Sequence, residues 1–281
     1  MLCVVFIILY HFIVKSFKII NKITPLIIGL VASSCLFNPH EREEFRDFYF
    51  QSISLVENLV YYHFNESSYS GTVGDILDSA PNNRNSNSLN SPNKAQGIFG
   101  DGLYCNGSNG VDITPAIFDD GFNERTISIW FRAERIDGIR YIYEEGGGTN
   151  GINIYIENGL LYGGTYKNNG GDFSNFPSLN IIANVWYHVA ITYDDVDGFN
   201  FYVNGAKIAG PLPTGFVFPS HSNDNGLCFQ NDDSFRSTGS DVRATGQYNF
   251  FIGVVDELAV WNRLLTTEEL NLLYLRQGRL D

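Results

Sequence analysis

The feature that most constrains this chain is an Asn-Gly pair, Asn158-Gly159, that separates two stretches of β-forming residues. In residues 152–157 isoleucine occupies every second position, and Asn, Tyr and Glu fill the positions between. A second β-forming stretch covers residues 160–166. Asn-Gly at two central positions favours a type I′ turn, whose twist matches that of paired antiparallel strands. The sequence therefore predicts a β-hairpin with one apolar and one polar face.

Similar strand signals recur from residue 58 to residue 261, separated by turn residues. Residues 82–93 are rich in Asn and Ser and are predicted to form an exposed loop. A helix is predicted from Thr266, because Glu269 three residues later completes a capping box. Many short strands at this spacing predict two packed antiparallel sheets in one domain.

The net charge of the chain narrows the classes of molecule that it can bind. The chain of 281 residues carries 18 Lys+Arg against 31 Asp+Glu, a formal net charge of −13. Residues 1–35 contain three lysines and no acidic residue, so the rest of the chain has a net charge of −16. A surface this acidic repels phosphate backbones, which excludes nucleic acid as a partner and leaves cations as candidates.

The N-terminal segment has the composition of an export signal. Two apolar runs, Leu2–Val14 and Ile23–Ala32, flank a cationic patch, and neither reaches the roughly 18–20 residues that a spanning helix needs. Val31–Cys35 resembles the lipobox of bacterial lipoproteins, in which the cysteine is acylated after cleavage. We therefore expect a signal over residues 1–34, lipidation of Cys35, a tether over residues 35–54, and a location in the cell envelope or outside the cell. An uncleaved membrane anchor built from both runs is the alternative.

Two cysteines, Cys105 and Cys228, lie in the body of the chain. In an oxidising compartment such a pair forms one disulfide, whereas two separate buried thiols are the other interpretation. The sequence alone leaves both open. No CxxC pair or Cys/His cluster occurs, so the sequence gives no support to a structural zinc site.

A series of motifs links the chain to a known family. In order, these motifs are Leu59–Phe64, Gly97–Gly107, Thr126–Arg132, Val185–Ala190, Phe201–Gly205 and Gly253–Thr266. Together they resemble the LamG-like jelly roll of the concanavalin A-like lectin/glucanase superfamily. The resemblance implies an all-β fold over residues 55–281, a two-sheet antiparallel jelly-roll sandwich with a short C-terminal helix.

Large side chains on the predicted strands have structural interpretations. Trp130, Trp186 and Trp261 are predicted to fill the space between the two sheets, as buried tryptophans commonly do. His188 shares a strand face with Trp186 and is predicted to be a hydrogen-bonded structural residue.

The resemblance also implies where a calcium ion would bind. Jelly rolls of this kind commonly use calcium to tie the first loop to the last strand. Asn65, Asp78 and Asp101 lie in the N-terminal loops, and Asp256 lies in the last strand. Their oxygen atoms are the type of ligand that calcium prefers, so we expect structural Ca²⁺ at these residues. The alternative is that Asp256 caps a turn or pairs with Arg263, and that the others are solvated.

Aromatic and polar residues in or just after the Asn-Gly hairpin form the candidate ligand-binding strip. Sugar rings stack on exposed aromatic faces, and Asn and Asp bind sugar hydroxyl groups. The strip consists of Tyr155, Tyr162, Tyr166, Asn168, Asp172, Phe173 and Phe176. The other interpretation is that these aromatic residues fill the space between the sheets.

Catalysis receives little support from the spacing of the carboxylates. Retaining glucanases of the superfamily carry Glu-x-Asp-x-Glu on one strand, and this chain has no such spacing. The adjacent pairs Glu144-Glu145 and Asp256-Glu257 are predicted to point to opposite strand faces. The sequence favours an exported, envelope-anchored, non-catalytic module that binds carbohydrate or glycoprotein. A structural or adhesive protein that binds another protein is the alternative, and a glycan-cleaving enzyme is less favoured.

Overall fold

The computed structural model describes residues 58–146, 149–168, 173–221, 225–228 and 250–275, without the side chains of Phe173 and Ser174. The predicted signal, the tether and Cys35 lie outside the described residues. No helix within the described ranges is long and apolar enough to cross a membrane.

Two antiparallel sheets make up the domain. The first sheet contains β1 (Asn58–Tyr62), β3 (Asn93–Gln96), β4 (Asp101–Asn106), β6 (Glu124–Ala133), β12 (Trp186–Asp194), β13 (Gly198–Val203), β14 (Ala206–Leu212) and β16 (Ile252–Trp261). Its strand order is β14-β13-β12-β6-β16-β4-β3, and β1 pairs with β16.

The second sheet contains β2 (Asn87–Leu89), β5 (Gly110–Asp112), β7 (Ile139–Gly146), β8 (Gly151–Glu157), β9 (Leu160–Lys167), β10 (Phe173–Asn175), β11 (Ser178–Asn180) and β15 (Gly226–Leu227). Its strand order is β10-β9-β8-β7-β15-β5-β2, and β11 also pairs with β9. Every strand pair is antiparallel, so the predicted jelly-roll sandwich is confirmed.

The hydrophobic core lies between the two sheets. Ile127, Ile129 and Phe131 of β6 are fully buried in the same cluster as the three isoleucines of β8. Alternate side chains of these strands point to the outer face, which is the face of each sheet turned away from the other sheet. The two faces predicted for residues 152–157 are therefore found. The isoleucines lie in the core between the sheets, and Asn153 and Tyr155 lie outside this core.

The predicted turn and helix cap are also confirmed. Asn158 and Gly159 have φ values of 50° and 85°, the two positive angles that a type I′ turn requires. Helix α1 (Thr267–Leu275) follows Thr266, whose hydroxyl oxygen accepts a hydrogen bond from the Glu269 N–H. Glu269 in turn accepts a hydrogen bond from the Thr266 N–H at 2.6 Å. This is the reciprocal arrangement of a capping box.

The prediction that the tryptophans lie between the sheets is wrong. Trp130 lies on the outer face of the first sheet, where its ring stacks on Tyr274 of α1 with centroids 5.6 Å apart. Trp186 and Trp261 pair with β6 residues of this same outer face. Alternation separates the two faces of a strand but does not say which face is inward. A helix on the outer face provides a second site of burial.

His188 is the structural residue that was predicted. It lies on the outer face beside Trp130, fully buried, and its Nε2 is 2.8 Å from the Ser128 hydroxyl oxygen. Burial lowers the pKa of His188 to about 3, because the charged imidazolium would lose its hydration. The side chain is therefore neutral near pH 7.

A charged pair crosses the core. Arg125 of β6 and Glu145 of β7 are both fully buried, and Arg125 Nη1 is 2.6 Å from Glu145 Oε1. The Tyr143 hydroxyl donates a hydrogen bond to the other Glu145 oxygen at 2.8 Å. The guanidinium also lies over the Phe122 ring, 4.0 Å from its centroid. The pair joins the first sheet to the second.

Cys105 and Cys228 form a disulfide. Cys105 belongs to β4 of the first sheet, and Cys228 directly follows β15 of the second sheet. The bond closes a loop of 123 residues and fastens the sheets to each other near one edge. Of the two interpretations that the sequence left open, the disulfide is therefore the one found.

We expect the double variant Cys105→Ala/Cys228→Ala to lose about 2–5 kcal/mol of unfolding free energy, because a long loop in the unfolded chain is no longer closed. Urea unfolding of the variant and of the oxidised wild type measures the loss. Reduced wild type is the control and should match the variant. Equal stability of the oxidised and reduced proteins would contradict the expectation.

Stability should also depend on the titration of His188. Its folded pKa, about 3, lies below its ordinary value of 6.5, so the folded state binds fewer protons than the unfolded state between these pH values. The free energy of unfolding therefore falls as the pH is lowered from 6.5 towards 3. In His188→Gln this contribution is absent, and urea unfolding from pH 7 to pH 4 should give a shallower decline. Parallel curves for the two proteins would refute the assignment.

Candidate functional site

An aromatic cluster covers part of the outer face of the second sheet. Tyr155 and Tyr162 are directly opposite on β8 and β9, and their rings stack with centroids 4.9 Å apart and planes 9° apart. Tyr141 of β7 stacks on the other side of Tyr155 at 5.3 Å. Tyr166 and Phe176 extend the row, with ring centroids 6.4 Å apart. We call these five residues the aromatic patch.

Phe176 reaches the patch by passing over a glycine. It lies between β10 and β11, both of which pair with β9 at the same edge. A Cβ atom at Gly164 would overlap the Phe176 ring and the Asn153 side-chain oxygen. Gly151, on the neighbouring strand, leaves room for the Tyr166 ring in the same way. The two glycines therefore allow aromatic rings to lie flat on the sheet.

The structure places the members of the predicted strip differently. Tyr155 and Tyr166 are fully buried, so the expectation that their rings are exposed to a sugar is wrong for these two. Their burial comes from neighbouring rings on the outer face and not from the space between the sheets, as the other interpretation proposed. Tyr162 and Phe176 are half-buried, and Asn168 is exposed. Asp172 and the Phe173 side chain lie outside the described residues.

The predicted calcium ligands bind backbone N–H groups. One oxygen of Asp256 accepts hydrogen bonds from the Ile98 and Phe99 N–H groups, at 2.8 and 3.2 Å. Asn65 Oδ1 accepts the Asp101 N–H at 2.8 Å. The Asp101 carboxylate forms an ion pair with Lys94. These bonds tie the first loops to the last strand.

Asp78 serves a separate turn. Its Oδ1 accepts the N–H groups of Tyr61 and Ala80, and its Oδ2 accepts the Arg84 N–H, at distances of 2.8 to 2.9 Å. The carboxylate therefore fixes the chain between residues 78 and 84 against β1. In this arrangement the four predicted residues do not fit a shared calcium site. Within the described ranges, no group of three or more His, Cys, Asp and Glu side chains is placed to hold a metal.

The adjacent carboxylates follow the predicted geometry in one pair only. Glu145 points into the core and Glu144 lies opposite Asn153 on the outer face, as predicted. Asp256 and Glu257 were predicted to point to opposite faces, and this is wrong. A β-bulge at Asp256 and Glu257 adds one residue, with Glu257 at a φ of 51°. Both side chains therefore lie on the outer face of the first sheet.

This second carboxylate pair is buried and held by its neighbours. Glu257 binds the Tyr61 hydroxyl and lies 3.0 Å from His63 Nδ1. Burial raises the pKa of Asp256 to about 8, and the neighbouring Glu257 adds to the effect. Neither carboxylate of the pair has more than 1% of its surface exposed, so they do not flank an open cleft as a glycosidase pair must.

An open cleft lies at the opposite edge of the second sheet from the aromatic patch. It has a volume of about 470 Å³ and includes Val73, Arg84, Asn85, Asn87 and Ile117 among its walls. Part of this wall comes from residues 82–93, which were predicted to be an exposed loop. That prediction is wrong in part, because the segment contains β2, and Ser86 and Ser88 are buried.

The chain belongs to the concanavalin A-like lectin/glucanases superfamily, whose family model matches residues 106–271. No significant match was found among curated protein sequences. One similar structure is domain 4 of the extracellular arabinanase AbnA from Geobacillus stearothermophilus, solved in complex with arabinotriose. It is 17% identical with a TM-score of 0.55, and the match covers 76% of this chain and 97% of that domain.

Toxin binding domains have the same fold. The botulinum neurotoxin serotype G binding domain is 14% identical with a TM-score of 0.58, and the match covers 78% of this chain. The binding domain of Paraclostridial Mosquitocidal Protein 1 is 17% identical with a TM-score of 0.57, and the match covers 80% of this chain. The chain spans only 51% and 52% of these two domains. At these identities the likeness shows the fold alone.

Removal of calcium should leave the fold unchanged. Because backbone N–H groups and Lys94 already hold the side chains of Asn65, Asp78, Asp101 and Asp256 in place, we expect EDTA to shift the thermal unfolding midpoint by less than about 2 °C, well under the change produced by 1 kcal/mol. Thermal unfolding with EDTA and with excess calcium measures this. A rise of several degrees with calcium, lost in Asp256→Asn, would restore the predicted site.

Proposed function

We propose that the chain is a non-catalytic module that binds carbohydrate, free or on a glycoprotein, and that it is exported and held at the cell envelope through Cys35. Membership of a superfamily named for lectins and glucanases supports a glycan ligand. Two proteins of the same fold were solved with ligands or partners: domain 4 of AbnA with arabinotriose, and the botulinum neurotoxin DC binding domain with SialylT and with rat synaptotagmin II. Export and lipidation are proposals from the sequence of the N-terminal segment, which lies outside the described residues.

The aromatic patch is the observation that carries the proposal. Tyr162 and Phe176 keep part of their rings exposed, while the buried rings of Tyr155 and Tyr166 hold them in place. A stacked ring with few free torsions loses little entropy when a ligand binds, so it suits the apolar face of a sugar. Asn168, exposed at the end of the same hairpin, supplies an amide that can bind hydroxyl groups.

A protein ligand is the second candidate. Tyrosine and phenylalanine are enriched in protein interfaces, so the same patch suits a protein receptor. A glycan and a protein would contact the same rings, so binding assays with each type of ligand distinguish the two candidates. A glycan array that gave no signal, together with binding to deglycosylated protein, would favour the protein ligand.

Catalysis is disfavoured by burial of the candidate carboxylates. Glu144 and Glu145 lie on opposite faces of β7, and Asp256 and Glu257 are buried beside Tyr61. A glycosidase needs two carboxylates that face one bond of the substrate, and neither of these pairs is arranged in this way. The burial of these two pairs supports the proposal of a module that binds its glycan without cleaving it.

Replacement of one exposed ring should weaken glycan binding. We expect Tyr162→Ala to bind arabino-oligosaccharides, or the best ligand from a glycan array, about tenfold more weakly, the effect of losing a contact of about 1.4 kcal/mol. Tyr162→Phe keeps the ring and should bind as the wild type does. Isothermal titration calorimetry measures both affinities.

Tyr104 provides the matched control. It is also half-buried but lies on β4 of the first sheet, where its hydroxyl donates a hydrogen bond to Glu134. Tyr104→Ala should leave the affinity unchanged. Equal losses in Tyr104→Ala and Tyr162→Ala, or full affinity in Tyr162→Ala, would overturn the proposed role of the patch.

A further inference from the structure

The open cleft beside β2 is built from fixed backbone and polar side chains. Tyr62 donates a hydrogen bond to the Arg84 carbonyl at 2.8 Å, and the Arg84 N–H donates to Asp78. The backbone on this side of the cleft is therefore held from both directions. On the other side, the short 3-10 turn Ala116–Phe118 follows Thr114, whose N–H donates to Ser86.

The two amide side chains in the cleft offer hydrogen-bond donors. Asn85 Oδ1 accepts the Asp78 N–H at 2.9 Å, and Asn87 Oδ1 accepts the Gly74 N–H at 2.8 Å. Because each amide oxygen is already bound to a backbone N–H, the NH₂ group is what each side chain presents to a ligand. Both of these NH₂ groups are suited to bind oxygen atoms with partial or full negative charge.

Arg84 supplies positive charge at the same place. Its Nη1 donates one hydrogen bond to the Leu59 carbonyl at 3.1 Å, which leaves other guanidinium N–H groups available. In the part of the chain that the structure describes, Arg84 makes no ion pair. The nearby carboxylates of Asp75 and Asp78 are bound by backbone N–H groups. An unpaired arginine in a body with a net charge of −16 is therefore a marked local feature.

We propose that this cleft, which we call the Arg84 cleft, binds the carboxylate of an acidic sugar. The guanidinium of Arg84 pairs with the carboxylate, and the NH₂ groups of Asn85 and Asn87 donate to its oxygens or to adjacent hydroxyls. Val73, which is 93% exposed, and Ile117 provide apolar contacts for ring carbons. The inference rests on the proposed function and adds a second site at the far edge of the second sheet.

Two sugar classes carry such a carboxylate, the uronic acids and the sialic acids. The probes are an oligosaccharide that ends in glucuronic acid, one that ends in sialic acid, and the methyl ester of each. The esters keep the sugar ring and remove the charge. We expect at least one acid to bind at least tenfold more tightly than its ester, and the preferred acid identifies the class of sugar.

Two substitutions test the Arg84 cleft itself. Arg84→Gln removes the charge, and Asn85→Asp replaces an NH₂ donor by an oxygen while keeping the oxygen that accepts the Asp78 N–H. Each should weaken binding of the acid at least tenfold, and Arg84→Gln should weaken binding of the uncharged ester far less than binding of the acid. Arg135→Gln is the control, since Arg135 is 58% exposed and pairs with Asp137 away from the cleft. Thermal unfolding of each variant checks that the fold is intact.

The outcomes separate this inference from the proposed function. Tighter binding of the acid, lost in both cleft variants but not in Arg135→Gln, supports the Arg84 cleft. Equal binding of acid and ester, or acid binding that survives Arg84→Gln, overturns the inference, while neutral glycan binding lost in Tyr162→Ala still supports the proposed function. Failure of every glycan to bind overturns both. If Arg84→Gln unfolds, the affinities of Asn85→Asp and Arg84→Lys for the acid are used instead. Arg84→Lys keeps the positive charge and should still prefer the acid to the ester, whereas Asn85→Asp should bind the acid more weakly.

Discussion

One buried contact between opposite charges constrains how the two sheets pack against each other. Arg125 comes from the first sheet and Glu145 from the second, and neither side chain reaches solvent. An isolated charge in the core costs several kcal/mol, so each of these residues requires the other in place. The Tyr143 hydroxyl and the Phe122 ring complete the surroundings of the pair. The pair therefore links β6 of the first sheet to β7 of the second sheet across the core.

Local signals in the sequence predicted individual elements of the fold, and the jelly-roll arrangement came from the family resemblance. The Asn158-Gly159 turn, the isoleucine alternation of β8 and the capping box at Thr266 each depend on residues within one turn or strand. Local signals did not predict which face of a strand is covered by another element. Alternation could not say that the Trp130 face is covered by α1. The bulge at Glu257 broke the two-residue period on which the prediction for the Asp256 pair relied.

The candidate sites were less accessible to sequence reasoning, because they depend on what each side chain has already bound. The calcium prediction used residue types alone, and the structure adds that Asp78 and Asp256 accept hydrogen bonds from backbone N–H groups of distant segments. Residues 82–93 are rich in Asn and Ser, which predicted a loop. In the structure, the side-chain oxygens of Asn85 and Asn87 accept backbone hydrogen bonds and so hold one wall of the cleft in place. Gly164 was the available signal for the aromatic patch, since a strand glycine often marks a close approach by another group.

The turn at Asn158-Gly159 has a consequence for the order in which the surfaces assemble. Tyr155 and Tyr162 meet across a single hairpin, whereas the bond between Ile98 and Asp256 joins residues 158 positions apart. Hairpins close in about 1–10 μs, and contacts between distant segments form far more slowly. We therefore expect the tyrosine stack to be set by local chain geometry and to form before the sandwich closes. We expect substitutions at the hairpin tip to alter this surface while the rest of the sandwich still folds.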